Sequence, residues 1–328
     1  MDMKDTAINV LKILEESPGP ISSEQIAEHL GVTRSVVWKQ IRELRRLGYN
    51  ITSSQGQGYR LTARTNRLLP YEIQKRLRTK FIGKQIRYFD RTASTSWIGK
   101  QLASETDPEN LHGMVIIAEE QTGGVGRLGR AWVSPAGGIW ITIILKPKIP
   151  IDHLFMITMA GSIAIARAIR KEYGLSALIK WPNDIFVGDK KVGGLLLEVA
   201  AEADAVHYGL LGIGIDANIS LDDLPPNLKD TVTSLQAEVG HEVDRVALLA
   251  RVLREFELRY LQLEDGEYDS IIREWKSLSM TLEQRVAIRT INKTFEGEAI
   301  DIDDHGALII RRDNGKIERV IAGDCFQL

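Results

Sequence analysis

Cysteine is nearly absent from this chain. Cys325 is the single one in 328 residues, so no internal disulfide can form, which fits a reducing compartment. The first residues, with Asp2 and Asp5, lack the basic start and apolar stretch of a secretory signal, and no run approaches the ~18 apolar residues of a membrane span. A cytoplasmic protein with no membrane role is expected. The net charge of -2 excludes a globally basic protein, so any nucleic-acid surface has to be local. The six histidines show no metal-ligand spacing. No glycine-rich loop ends in Gly-Lys-Ser/Thr, and none opens an amphipathic helix, which excludes a Walker A loop and a Rossmann fingerprint. Ser94, Thr95 and Ser96 have no identifiable base partner, so no covalent nucleophile stands out. What remains is a composition of 44% hydrophobic and 26% charged residues, ordinary for a globular chain long enough for two or three domains.

The first domain reads as a DNA-binding module. Ile8, Leu11 and Leu14 repeat at helical spacing before Ser17-Pro18-Gly19-Pro20. Ser22 and Gln25 form a capping box ahead of a short helix closed by Gly31. Thr33 is placed to cap a second helix, Arg34 to Leu47, whose inward face is Val37, Ile41 and Leu44. Two short strands around Gln55-Gly56-Gln57-Gly58 complete a wing. From Gly31 to Arg64 there are seven basic residues (Arg34, Lys39, Arg42, Arg45, Arg46, Arg60 and Arg64) against the one acid Glu43. That local excess suits phosphate neutralisation. A helical packing module with a solvated basic face is the bland alternative; hairpin, wing and charge together favour DNA. We take Ser22, Thr33, Arg34, Ser35, Lys39, Arg42 and Gln57 as the DNA-facing set.

Thr62 to Leu69 is polar and aperiodic, which suggests a linker, and a second domain is expected from near Pro70. Its helices and strands mix without doubly wound alternation, so a mixed, mostly antiparallel sheet with flanking helices is expected. From Arg285 onward, closely spaced alternating strands predict a small β barrel.

Three stretches of the second domain carry chemistry. Gln121 to Trp132 is a strand-to-strand flap in which Gly123, Gly124, Gly126 and Gly129 let backbone N–H groups approach a ligand and Arg127 and Arg130 offer forked donors suited to phosphate. Read alone, it is a solvated glycine-rich loop; its company argues for more. Lys180-Trp181-Pro182-Asn183-Asp184 places a cation and a carboxylate together, with Asp184 either a Mg²⁺ ligand or a type I turn residue. Lys191 then precedes Gly193-Gly194. In the strand Gly209 to Asn218, Gly212 and Gly214 leave one face bare, for a flat ligand or for close helix packing. Positioned cations without a nucleophile suit transfer at phosphorus.

Gly-Gly-Val-Gly-Arg-Leu-Gly-Arg-Ala-Trp, Lys-Trp-Pro-Asn-Asp, Lys-Val-Gly-Gly and Gly-Ile-Gly-Ile-Asp-Ala-Asn, in that order behind a winged helix, resemble the bifunctional biotin protein ligases that also repress the biotin operon. The resemblance covers essentially the whole chain. It implies an α+β multidomain fold: a winged helix-turn-helix (1–64), a mixed-sheet α/β catalytic domain (65–280) and an SH3-like C-terminal barrel (281–328). The implied reaction uses biotin, ATP and Mg²⁺. Biotin's carboxylate attacks the α-phosphate to give biotinyl-5'-adenylate, and a lysine of the biotin carboxyl carrier protein then takes the biotin. Operator DNA bound by a homodimer is the other implied partner.

By the same resemblance Ser94, Thr95 and Ser96 hold the ureido ring, and Gln121 contacts biotin. Gly124, Val125, Gly126, Arg127, Arg130 and Trp132 form the flap over the adenylate, Gly212 and Asn218 line the ligand strand, and Lys191 stands beside the reacting carboxylate and phosphate. Arg127, Lys191, Lys180, Asp184 and Arg130 become the catalytic set, with Asp184 the metal ligand. Three positions depart from the family pattern: Ser96 replaces a frequent Asn, Val125 the first flap arginine, and Asp216 a common Asn. Two rival readings are a ligand-sensing regulator without ligase activity and a ligase whose winged helix only orients the active site.

Overall fold

The computed structural model describes every residue except 1, 2, 4, 55–57, 203, 204, 291 and 292. The chain divides into two compact units, Met1–Lys75 and Arg76–Leu328.

The N-terminal unit is α1 (Asp5–Glu16), α2 (Ser23–Leu30), α3 (Arg34–Arg46), a hairpin of β1 (Asn50–Ser54) and β2 (Gly58–Ala63), and most of α4 (Pro70–Arg76). The helices bury the residues their spacing selects: Val10, Leu11 and Leu14 from α1, Ile26 and Ala27 from α2, and Val37, Ile41 and Leu44 from α3. The capping box forms, with Gln25 N donating to Ser22 Oγ (3.1 Å) and Ser22 N to Gln25 Oε1 (3.0 Å), and Gly31 closes α2 at φ 63°. Tyr59 N donates to Ile21 O at 2.8 Å, which pins the wing beside the start of α2. Three expectations change. Thr33 is the N-cap residue of α3 but makes no capping bond, because its hydroxyl pairs with Ser35 Oγ at 2.8 Å. Arg64, counted in the local basic excess, is neutralised within the unit, bridging Glu15 (2.8 Å) and the buried Glu72 (3.0 Å). The stretch read as a linker is packed, with Thr65, Leu68 and Leu69 buried. The wing tip, with Gln57, lies outside the described residues.

The second unit holds β3 (Ile86–Thr92), α5 (Thr95–Glu105), β4 (Val115–Gln121), β5 (Ile139–Leu145), α6 (Phe155–Tyr173), β6 (Ala177–Lys180), β7 (Asp184–Val187), β8 (Lys190–Glu202), β9 (Ala205–Ile215), α7 (Leu235–Val239), α8 (Arg245–Glu264) and α9 (Tyr268–Leu278). Its strands form one seven-stranded sheet in the order β3-β4-β5-β9-β8-β7-β6, in which β3 and β4 pair in parallel and the rest antiparallel. That is the mixed sheet expected. Helices cover both faces, as adjacent residues of β9 show: a Cβ on Gly99 of α5 would touch Leu210, and one on Gly161 of α6 would touch Leu211. The segment Ile151–Tyr173, which contains α6, is long and apolar enough to cross a membrane by length and composition, contrary to the sequence reading; it is the core helix, packed between the sheet and α8 and α9.

Arg245 opens α8 and is buried beneath the flap's return, donating to Gly138 O and to Glu119 Oε2, both at 2.8 Å. Arg245→Met leaves a buried carboxylate without its cation, so we expect a loss of about 3–5 kcal/mol in unfolding free energy, measured by denaturant melts.

The C-terminal residues form a five-stranded antiparallel sheet of β10 (Arg285–Arg289), β11 (Thr294–Ile302), β12 (Leu308–Arg311), β13 (Ile317–Val320) and β14 (Asp324–Gln327), in the order β13-β12-β11-β10-β14. It is docked beside the seven-stranded sheet, with Trp181 Nε1 donating to Gly306 O at 3.2 Å and Trp181 N to Thr281 Oγ1 at 2.9 Å.

Candidate active site

The cavity of about 530 Å³ on the α5 face of the large sheet collects almost every residue that the sequence proposed for ligand binding and catalysis. Its floor is glycine. Gly194 and Gly214 are paired across β8 and β9, and Gly212 continues the bare face. The missing side chain at Gly214 is replaced by the flap's own indole: a Cβ there would lie 2.6 Å from Trp132 Nε1, a buried N–H with no hydrogen-bond partner among the described residues. Gly212 instead faces Ser96 Oγ, 3.3 Å from where its Cβ would be. At both glycines the bare face is met by close packing, from the flap's indole at Gly214 and from the start of α5 at Gly212.

One end of the cavity is a polar chain. Gln121 Oε1 accepts from Thr95 N (2.8 Å) and Thr95 Oγ1 (3.1 Å), and Gln121 Nε2 donates to Ser134 Oγ (3.0 Å). Thr142 Oγ1 lies 2.8 Å from Thr95 Oγ1 and 3.1 Å from Ser96 Oγ, while Ser94 caps α5 by accepting from Trp97 N. Ser96, where the family often has Asn, is thus already engaged with Thr142.

The other end is charged. Lys191 Nζ is 2.6 Å from Asp184 Oδ1 and 4.7 Å from the Trp132 ring centroid. Its backbone is fixed on both sides: Lys191 N donates to Thr231 O and Thr233 N to Lys191 O, each at 2.9 Å. Arg127 donates through Nη1 to Asn183 Oδ1 (3.1 Å) and through Nη2 to Gly323 O (2.8 Å). Burial holds its guanidinium below the usual range, opposed by Asp184 and Asp324. Arg130 is mostly exposed and forks onto the Asp324 carboxylate, with Nη1 to Oδ1 at 2.9 Å. Lys180 Nζ stands 5.2 Å over the Phe186 ring. The flap is a folded hairpin, with Gly126 N donating to Arg130 O (2.8 Å) and Trp132 N to Gly124 O (2.9 Å).

Ser94, Thr95, Ser96, Gln121, Val125, Gly126, Arg127, Arg130, Trp132, Lys180, Asp184, Lys191 and Gly212 all line the cavity. Two predicted residues do not. Asn218 uses both ends of its amide on Val243, donating to its O and accepting from its N at 2.9 Å each. Gly124 is a glycine because the hairpin closes on it, a Cβ there falling 2.5 Å from Trp132 O. In the N-terminal unit Arg34, Ser35, Lys39 and Arg42 are exposed on α3, though Arg34 is paired with Glu24. Sequence reasoning passed over Trp38 on that face, 52% exposed with Arg42 stacked 4.7 Å above its ring. It also passed over Asp324 and Phe326 of β14 and the Leu224–Val232 loop, all of which reach the cavity.

Asp216, in place of an Asn, puts an ionisable group on this strand. It is 4% exposed, and burial pushes its carboxyl up to about 8 despite the opposing charge of Lys191. Below that pH it is a neutral acid, close in shape and charge to the Asn it replaces. Because the folded form keeps a proton that the unfolded chain releases near pH 4, native stability falls as pH rises from about 4 to about 8. Asp216→Asn is expected to remove that slope, so the variant's advantage in thermal midpoint grows between pH 5 and pH 8 and is level beyond.

A cavity on one face of a mixed sheet, with a polar pocket at one end, four cations and the carboxylates of Asp184 and Asp324 at the other and a glycine flap above, suits an enzyme that handles a phosphate-bearing ligand. The Biotin/lipoate A/B protein ligase family model matches residues 88–216, an HTH domain model residues 6–60, and the Biotin protein ligase C terminal domain model residues 281–327. The chain is 37% identical over 305 residues to the Bifunctional ligase/repressor BirA of Bacillus spizizenii, covering 93% of each, and 26% identical over 317 residues to that of Escherichia coli, covering 95% of this chain and 94% of the relative. The solved biotin protein ligase from Aquifex aeolicus in complex with biotin and ATP shares the fold, at TM-score 0.64 and 24% identity, covering 75% of this chain and 99% of that one. The chain belongs to the family of bifunctional ligase/repressor proteins.

Proposed function

We propose that the protein joins biotin to ATP, passes the biotin to a lysine of a biotin carboxyl carrier protein, and represses transcription when its ligand site is filled. The observation that carries the ligase reading is the convergence of Lys191, Arg127 and Asp184 in one cavity whose far end is the Gln121–Thr95–Ser96 polar chain. The polar chain is suited to a ureido ring and the apolar wall with Trp132 to the thiophane and adenine. Arg127 and Lys191 meet the α-phosphate, where a carboxylate oxygen–phosphorus bond forms and the bond to pyrophosphate breaks. In the second step the carrier amine attacks the acyl carbon and AMP leaves. Asp184 fits Mg²⁺, which habitually takes one or two carboxylates and completes its shell with phosphate oxygens and waters, and Asp189 lines the same cavity. When bound, the ion would supply charge neutralisation on the triphosphate, while the Lys191 ammonium, held beside Asp184, has further N–H donors for a phosphate oxygen. Biotin-dependent exchange of labelled pyrophosphate into ATP tests the first step, and its absence from folded protein refutes it.

The proposed domain limits of 1–64, 65–280 and 281–328 assign repression to the winged helix, acting from the cytoplasm as a homodimer on a two-fold operator. The reading rests on the exposed Ser35, Lys39 and Arg42 of α3, with Ser22 and Thr33 near the helix starts. Lys39→Ala is expected to weaken biotin- and ATP-dependent operator binding and to lower the slope of log K against log salt by about one, as loss of a phosphate contact does. An unchanged salt slope places Lys39 off the backbone.

A further inference from the structure

Sequence spacing hides one histidine pair. His153 ends the turn before α6 and His305 sits between β11 and β12, yet their rings meet edge to face at 4.6 Å. His153 stacks on Tyr268 at 4.1 Å, and its Nδ1 is 2.8 Å from Asp152 Oδ1. The other carboxylate oxygen of Asp152 is 3.9 Å from His305 Nδ1, and that nitrogen is buried with no hydrogen-bond partner among the described residues. One donor atom from each of the three residues lies within 4.8 Å of the other two.

The frame around them is rigid. Asp303 Oδ1 accepts from His305 N (3.0 Å) and Ala307 N (2.9 Å), and Arg319 pairs with the same carboxylate, so its charge is spent. Gly306 has φ +80° and sits so close to α6 that a Cβ would fall 2.6 Å from Phe155 Cδ1. A surface Asp–His hydrogen bond explains Asp152 and His153, but it leaves His305 Nδ1 unpartnered while facing the same carboxylate.

We propose that Asp152, His153 and His305 form a site for a divalent transition metal of the Zn²⁺ type, tying the entrance of α6 to the C-terminal domain. Two imidazoles and one carboxylate suit Zn²⁺, Co²⁺ or Ni²⁺ and not Mg²⁺. Bonds of about 2.0–2.1 Å in a tetrahedron need ligand atoms about 3.3 Å apart. Rotation of the Asp152 side chain, 64% exposed, opens the 2.8 Å contact and closes the 3.9 Å one. Water completes the shell on the open side, which borders a second cavity of about 410 Å³ walled by Ile151, Phe155 and Ile321.

The test uses untagged full-length chain stripped with a chelator. Titration with Co²⁺, read by visible absorption, and with Zn²⁺, read by competition, is expected to saturate at one equivalent and to raise the thermal midpoint, with no effect of Mg²⁺ at equal concentration. His305→Gln and Asp152→Asn, each checked for native circular dichroism, should weaken uptake at least tenfold. Absence of saturable uptake overturns the site, and so does uptake unchanged in both variants, which would place the metal on other histidines.

Discussion

Lys191→Ala is expected to slow adenylate formation by about 10²–10³-fold, the range seen when one preorganised donor to developing charge is removed. The lysine is held for this task. Its backbone is bonded on both sides to the Thr231–Thr233 segment, its ammonium rests on Asp184 at 2.6 Å, and the Trp132 ring lies beneath. Such a cation is fixed before the substrate arrives, so it contributes without reorganisation. Truncation also leaves Asp184 without its ion pair, and a bare carboxylate then repels the triphosphate. Single-turnover measurement of biotinyl-adenylate separates this loss from weaker binding: the account predicts a large fall in rate at saturating biotin and ATP, with the fold unchanged by circular dichroism. A variant that reaches the native rate at saturation would reduce Lys191 to a binding residue.

Arg127→Ala should cost about 10²-fold in the same assay, and Arg130→Ala no more than about tenfold. The two arginines are close in sequence and differ in surroundings. Arg127 is half-buried, reaches Asn183 beside Asp184, and sits where a partly screened charge acts more strongly on phosphate than one at the open rim. Arg130 is exposed and already neutralised by Asp324 at the rim. Equal losses would mean that the flap works as a lid and not through the half-buried guanidinium of Arg127.

The contrast between these two arginines was not legible in the sequence, because it depends on Gly323 and Asp324 far along the chain. Strand β14, which carries Asp324, is four residues long and buries only Cys325, too little periodicity to read. The core strands were legible for the opposite reason: Ile139–Leu145 is buried throughout and apolar at every position but Thr142, and Ala177–Lys180 alternates buried and half-buried residues. Glycines marked the site well where a ring or a helix end needs the space, as at Gly214 and Gly212, but Gly124 serves the hairpin's own closure. Asn218 looked like a ligand residue because it ends a glycine-rich strand, yet its amide holds Val243. The apparent extra charge at Asp216 vanished on burial, a quantity no local pattern encodes. The Arg64 guanidinium, counted toward a DNA surface, is drawn inward by Glu15 and Glu72, acids contributed by helices on either side of the wing.

Transfer of labelled biotin to a carboxyl carrier domain, in the presence of ATP and Mg²⁺, tests the central claim most directly. The account predicts labelling of the carrier lysine by the native chain and a loss of about 10²-fold or more with Lys191→Ala. A folded native chain that binds its operator but leaves the carrier unlabelled would contradict the ligase mechanism and leave a ligand-sensing regulator.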